Sequence, residues 1–306
     1  MWKNKKVLVL GATGLVGSHC VNALLKKNTN ITIFTHHKSN FFGDQVEEVS
    51  GDLTKPETCQ KLLKDFDFII HAAAQTGGLA KNQNDPISTL IPNARMNLNI
   101  LEAVEKNPPD VFHFSSNNSI YPDVDWPLKE NEAQVPISGI ASHYSQIKIL
   151  AENHCRYLYD KKNIQISITR GANAYGPHDN FDPITSHTVP ANIRKVVERQ
   201  NPMVLWSDGS ALRDYIHGQD LADGILLTME KYHIAEPINI ATGIHTSVSE
   251  LVKLICKIDG FEDTKLEYDK SKPGGPKMKL MSTEKAKKIL NYTSKISLED
   301  GLDNTI

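Results

Sequence analysis

Lys6-Val7-Leu8-Val9-Leu10-Gly11-Ala12-Thr13-Gly14-Leu15-Val16-Gly17 reads as a buried strand, a glycine turn and the opening of a helix whose pattern continues to Leu25. Strand, turn and helix in that order are the context in which spaced glycines signify dinucleotide binding. Glycine lets the backbone turn tightly and approach a pyrophosphate, and the amides of the helix N-terminus face that charge. The spacing is G-x-x-G-x-x-G. Gly11, Thr13, Gly14, Leu15, Val16 and Gly17 are therefore the expected cofactor cradle.

Further strands follow outward from this unit. Ile31 to Phe34 reads as the second, Val46 to Ser50 as the third and Asp67 to His71 as the fourth. Val111 to Ser115 is the fifth, Ile164 to Thr169 the sixth, and Pro86 to Lys106 is helical in pattern. Strands alternating with helices predict an α/β fold, a Rossmann-type doubly wound parallel sheet. NAD-binding folds offer an acidic residue about 20 residues past the glycines, for the ribose hydroxyls. Here Thr35-His36-His37-Lys38 stands in its place, so no carboxylate repels a phosphate, and Lys38 with the imidazoles of His36 and His37 can attract one. NADP is favoured and NAD remains possible; the bland alternative is a run of exposed polar residues. Asp52, followed by Leu53, either accepts from an adenine amine or caps a turn. Ala72, Ala73 and Ala74 end the fourth strand with small side chains that leave room for a flat cofactor.

After Arg170 the regular alternation weakens. Val189 to Arg199, Asp220 to Lys231 and Ser247 to Ile258 read as helices, Met203 to Trp206 and Pro237 to Ile240 as strands, and Lys270 to Lys279 as a loop. The expected division is a cofactor domain over 1–170, joined by 217–240, and a smaller, discontinuous α/β substrate domain made of 171–216 and 241–306.

The 306 residues carry a formal net charge of −2 and are 40% hydrophobic. This balance gives no reason to expect nucleic acid or a membrane surface as partner. No apolar run reaches the roughly 18 residues of a membrane span. Cys20, Cys59, Cys155 and Cys256 form no C-x-x-C pair and read as reduced thiols of a cytoplasmic protein. The histidines show no metal-binding spacing, and no metal is expected.

Tyr144 and Lys148 stand four apart in a helical segment, roughly His143 to Lys162, and so share one face. A phenol titrates near pH 10. A neighbouring cation favours the phenolate and brings it towards the working range, so the two residues suit a proton-transfer pair; the alternative at this common spacing is an ordinary surface pair.

The glycine turn, the polar loop Ser116-Asn117-Asn118-Ser119-Ile120-Tyr121-Pro122 and the Tyr-x-x-x-Lys helix come in the order of the extended short-chain dehydrogenase/reductases that act on nucleotide sugars. Over the whole chain the sequence resembles the GDP-L-fucose synthase branch of that family. The matching segments are His71 to Ala74 with Gly77-Gly78-Leu79, Ile120 to Pro122, Tyr175-Gly176-Pro177-His178-Asp179-Asn180-Phe181 with Ser186, His187 and Pro190, Gly209 to Ala222, and Ser271 to Ser282. The resemblance implies that Tyr144 is the proton donor and that Lys148 assists it and touches the nicotinamide ribose. It implies a carbon-proton role for His187, sugar-nucleotide contacts at Asn173, His178, Asn180 and Arg213, and a basic residue towards the diphosphate at Lys195. It further implies a GDP-linked substrate, a homodimer, and 3,5-epimerisation of GDP-4-keto-6-deoxy-mannose followed by NADP-dependent reduction at C4.

Two positions depart from the family pattern. Counting back from Tyr121, the family's catalytic serine falls on Asn117 and its epimerising cysteine on Ser119; a small realignment would instead present Ser116 as the serine. An asparagine amide can donate to a ketone oxygen, whereas a serine is a far weaker acid than a thiol. The reductase half of the chemistry is the better supported. For His187 the alternative is a capping role, and for Arg213 an ion pair with Asp214 or Asp208. A different nucleotide sugar, or a non-catalytic NADP-binding sensor or scaffold, stays open; retention of Tyr144, Lys148 and His187 together argues against the sensor.

Overall fold

The computed structural model describes residues 1–77, 84–133, 142–272 and 274–306. Gly78 and Leu79, quoted above, and Pro273 lie outside them. The strands are, in chain order, β1 (Lys6–Leu10), β2 (Asn30–Thr35), β3 (Glu47–Ser50), β4 (Phe68–His71), β5 (Val111–Asn117), β6 (Ile166–Gly171), β7 (Asn173–Tyr175), β8 (Met203–Trp206), β9 (Leu212–Arg213), β10 (Tyr215–His217), β11 (Ile234–Ile240), β12 (Thr246–Ser247), β13 (Leu266–Asp269) and β14 (Met278–Lys279). The α-helices are α1 (Leu15–Leu25), α2 (Pro56–Leu62), α3 (Ile87–Lys106), α4 (Ser142–Lys162), α5 (Thr188–Val197), α6 (Gly218–Lys231), α7 (Val248–Ile258) and α8 (Leu298–Asp303).

Seven strands form one parallel sheet in the order β11-β6-β5-β4-β1-β2-β3. Central strands β4 and β6 are buried along their whole length. That is why they read as continuous apolar runs and not as alternating ones. Edge strand β3, with Glu47 and Glu48, is exposed throughout, and its charges discourage pairing with another sheet. Two hydrophobic clusters cover the faces: one joins Val7, Val9 and Val21 to Leu226, the other joins Leu8, Leu10 and Ile100 to Leu158. A third, built on Ile193, Leu205, Val252 and Ile255, is the core of the lobe made by the chain after β6. Among the described residues no helix is long and apolar enough to cross a membrane, and no group of metal-ligating side chains is assembled. All four cysteines are free and buried.

The direction of strand addition reverses between β1 and β4, and a crevice opens beyond their carboxyl ends. There the backbones nearly touch. A side chain at Gly11 would come within 2.6 Å of the Ala73 nitrogen, and the backbone φ of +85° also requires glycine. Gly17 has a different role from the one expected. A Cβ there would collide with the Gly11 carbonyl, so it sets how closely α1 packs on the turn and does not itself line the crevice.

Beneath α4 the sheet carries two buried histidines on neighbouring strands. His71 pairs with Asn97 at 2.9 Å, and His113 lies between Ser167 and Thr169 at 2.9 and 3.2 Å. Burial pushes both down to about 3, so the fold holds them neutral. The unfolded chain binds these protons below its ordinary histidine pKa of about 6.5, and the native state does not. Stability should thus be complete above that pH and fall by about 1.4 kcal/mol per pH unit per histidine as pH drops further. Urea midpoints measured between pH 7.5 and 5 test this; a flat profile contradicts neutral burial.

Candidate active site

A cleft of about 810 Å³ opens at the switch point. Its floor is Gly11, Thr13, Gly14, Leu15 and Val16, with Ala72, Ala73 and Ala74 from the end of β4. Gly14 is the N-cap of α1, has no side chain to cap it, and no acidic residue occupies the first turn. The helix's first amides are therefore open to an anion, as a pyrophosphate requires. His36, Lys38, Asp52 and Leu53 line one end. The His36 Nδ1 lies 2.5 Å from the Gly51 carbonyl, and His37, the second imidazole of that doublet, joins the lining. Asp52 does cap a turn, accepting from the Thr54 backbone at 2.9 Å and its hydroxyl at 2.7 Å through Oδ1. Its other oxygen has no such partner. A dinucleotide fits this floor.

Tyr144 and Lys148 face the cleft from α4. The Lys148 ammonium donates to the Ser115 carbonyl at 2.7 Å and lies 5.6 Å from the centre of the Tyr144 ring. Burial pulls the amine down to about 8, against the upward influence of Glu152. The expected lowering of the phenol is not present in the protein alone: desolvation pushes the Tyr144 pKa up. Tyr144 is thus held as the protonated acid, which is the form a donor needs.

The helix is seated by a buried ion pair one turn beyond Lys148. Arg170, at the end of β6, donates to both Glu152 oxygens at 3.1 and 2.6 Å, to the Tyr121 hydroxyl at 3.0 Å and to the Glu130 carbonyl at 2.7 Å. Tyr121 in turn donates to Asn239 at 2.6 Å. Arg170 and Glu152 are 3% and 5% exposed, so this geometry is fully desolvated.

β5 runs two residues further than expected because Ser116 and Asn117 pair in register with Arg170 and Gly171. Both line the cleft, and the Ser116 hydroxyl is buried with no hydrogen-bond partner among the described residues. Ser119 differs from the expectation. It is the middle residue of the 3₁₀ turn after β5, does not line the cleft, and directs its hydroxyl to Asn117 Oδ1 at 2.7 Å.

His187, Asn173, His178, Asn180 and Arg213 also line the cleft. His187 is the N-cap of α5, yet its ring makes no capping bond, so capping does not account for it. Arg213 donates to the carbonyls of Leu212 and Gly274 at 2.7 and 3.3 Å and forms no ion pair among the described residues. Asp214 is instead buried, accepting from Thr242 and Gly243, and Asp208 accepts from Ser210. Lys195, expected towards the diphosphate, donates to the Val204 carbonyl at 2.8 Å and is not among the residues lining the cleft. His178 stacks on Phe41 at 4.2 Å, tying the loop after β7 to the loop after β2. Two further residues went unnoticed in the sequence. Among the described residues, Tyr215 lines the cleft with a buried, unpartnered hydroxyl, and Asp179 does so with an unpartnered oxygen while burial raises its carboxyl to about 6. Asp179 had a signal, since it sits inside the quoted Tyr175 to Phe181 run.

Comparison with known proteins agrees with this geometry. The family model described as NAD dependent epimerase/dehydratase family matches residues 7–241. GDP-L-fucose synthase 1 of Arabidopsis thaliana is 30% identical over 99% of this chain and 92% of its own. GDP-L-colitose synthase of Yersinia pseudotuberculosis is 30% identical over 98% and 96%. Among solved structures, UDP-glucose 4-epimerase of Thermotoga maritima superposes with a TM-score of 0.88 at 26% identity, covering 98% of this chain and 97% of that one. UDP-glucuronic acid 4-epimerase of Bacillus cereus, solved with UDP-glucuronic acid and NAD, gives 0.86 at 26% over the same shares. With its crevice, its Tyr144–Lys148 pair and this match over most of its length, the chain belongs to the NAD-dependent epimerase/dehydratase family and is an enzyme of the extended short-chain dehydrogenase/reductase type.

Proposed function

We propose that this enzyme reduces the C4 ketone of a GDP-linked 4-keto-6-deoxyhexose with NADPH. The observation carrying this reading is that one cleft combines an uncapped α1 N-terminus, a protonated Tyr144 beside Lys148, and the cations Lys38 and Arg213. The reduced cofactor, when bound, supplies the hydride. Tyr144 gives its proton to the developing alkoxide, and the Lys148 ammonium stabilises the phenolate left behind. Asn117 and Ser116 hold donors towards the ketone oxygen. Arg213, a planar guanidinium without a carboxylate partner, suits a sugar-nucleotide diphosphate. His36, His37 and Lys38, with no carboxylate at the end of β2, favour the phosphorylated cofactor. His187 is the group able to exchange a proton on a carbon beside the ketone. The GDP link is supported by the names of the two synthases.

A homodimer belongs to the same reading. Leu98 on α3 and Leu150 and Tyr157 on α4 are 45–50% exposed and form an apolar face that a second copy would cover.

Mixing the protein with NADPH and GDP-4-keto-6-deoxy-mannose should bleach the 340 nm absorbance stoichiometrically, and NADH should serve poorly. The UDP-sugar epimerases of the same fold suggest a second reading, internal redox at C4 with retained NAD. That reading predicts no net NADPH consumption and turnover of a UDP-hexose instead. In deuterated water, label at C3 or C5 of the product would add epimerisation to the reduction; its absence leaves a reductase alone.

A further inference from the structure

We infer that Ser119 is a positioning residue that locks the Asn117 carboxamide, so that Asn117 presents a fixed hydrogen-bond donor to the substrate ketone. The inference rests on the reductase reading for its consequence but on local geometry for its substance. Asn117 is the last residue of β5 and the N-cap of the following 3₁₀ turn. Its Oδ1 accepts twice from one residue, from the Ser119 backbone N–H at 3.0 Å and from the Ser119 hydroxyl at 2.7 Å. A backbone N–H can only donate, so the branch it faces is the carbonyl oxygen, and the hydroxyl adds the second bond that holds the amide in that orientation against rotation. The other branch, Nδ2 with two hydrogens, has no hydrogen-bond partner among the described residues, and Asn117 lines the cleft with Tyr144 and Lys148. Ser119 is itself anchored, since its carbonyl accepts from the Ser145 hydroxyl at 2.8 Å, one residue after Tyr144. The proton donor and the carbonyl-polarising amide are thereby tied to one another through Ser119. An amide free to rotate would offer the ketone its oxygen part of the time, and preorganised donors are what lower the barrier.

This assigns Ser119 a role opposite to a proton shuttle, because its hydroxyl proton is directed at Asn117 and not at a sugar carbon. In the NADPH assay with GDP-4-keto-6-deoxy-mannose, Ser119→Ala should lower kcat about fivefold with KM within twofold, the size of one lost neutral hydrogen bond. Ser119→Thr, which keeps the hydroxyl, should restore most of the rate. Ser119→Cys, a weak donor, should fall between them and place no deuterium at C3 or C5. Equal rates for Ser119→Ala and the parent, or deuterium introduced by Ser119→Cys, would overturn the assignment. A readout without substrate separates this from failure of the reductase reading. In ¹⁵N-labelled protein the Asn117 side-chain NH₂ signal, identified by its loss in Asn117→Asp, should shift in Ser119→Ala and stay in place in Ser119→Thr. If the parent does not consume NADPH yet this signal behaves so, the lock stands and the substrate reading falls. An unmoved signal in Ser119→Ala refutes the lock whatever the activity.

Discussion

Tyr144→Phe should lower kcat by roughly 10²- to 10⁴-fold while leaving NADPH binding, followed by its fluorescence, within about twofold. The ring is retained, so the packing of α4 and the cleft wall survive and only the hydroxyl is lost. Its proton has no obvious substitute. Lys148 is engaged by the Ser115 carbonyl, Ser119 faces Asn117, and the Asn117 amide does not titrate. The phenol's raised pKa, caused by burial, keeps the parent protonated at neutral pH. Lys148, drawn down to about 8 by the same burial, is the group whose deprotonation should end activity on the alkaline side. A variant that turned over as fast as the parent would remove Tyr144 from the chemistry and the proposed reaction with it.

The second large effect concerns stability. Glu152→Gln should destabilise the fold by about 3–5 kcal/mol, because it leaves the Arg170 guanidinium buried without its counter-charge. The pair is bidentate and only a few per cent exposed, so water cannot screen the loss. Arg170 also supports Tyr121 and the Glu130 carbonyl, and through Tyr121 reaches Asn239 on β11. One substitution thus loosens α4, β6 and β11 together. Denaturant titration measures the loss, and a change under 1 kcal/mol would mean that the pair is solvated in the native state. Activity carries a second signature. Burial lowers the Lys148 pKa and the Glu152 charge holds it up, so without that charge the alkaline limb of the rate profile should move to lower pH.

Much of this architecture was legible in the chain because it is local. The strand, turn and helix of residues 6–25 follow from neighbouring residues alone, as does the shared face of Tyr144 and Lys148, one helical turn apart. The absence of a carboxylate after β2 is likewise a matter of reading Thr35 to Lys38 in place. Even the polar end of β5 was visible, although its strand character to Asn117 depended on pairing with Arg170 and Gly171.

Local sequence was therefore enough to give the crevice and the phenol that faces it. Long-range packing selected which remaining side chains join them. Lys195 left the cleft because a carbonyl on β8 accepts its proton. Arg213 became available because Asp214 was claimed by Thr242 and Gly243 across the lobe. Ser119 turned from the cleft because Asn117 offered an acceptor two residues away. Each outcome is a competition for hydrogen-bond partners. Buried polar groups must be paired; Asn117 and Val204 lie within nine residues of the groups they bind, whereas Thr242 and Gly243 reach Asp214 only when segments distant in sequence pack together.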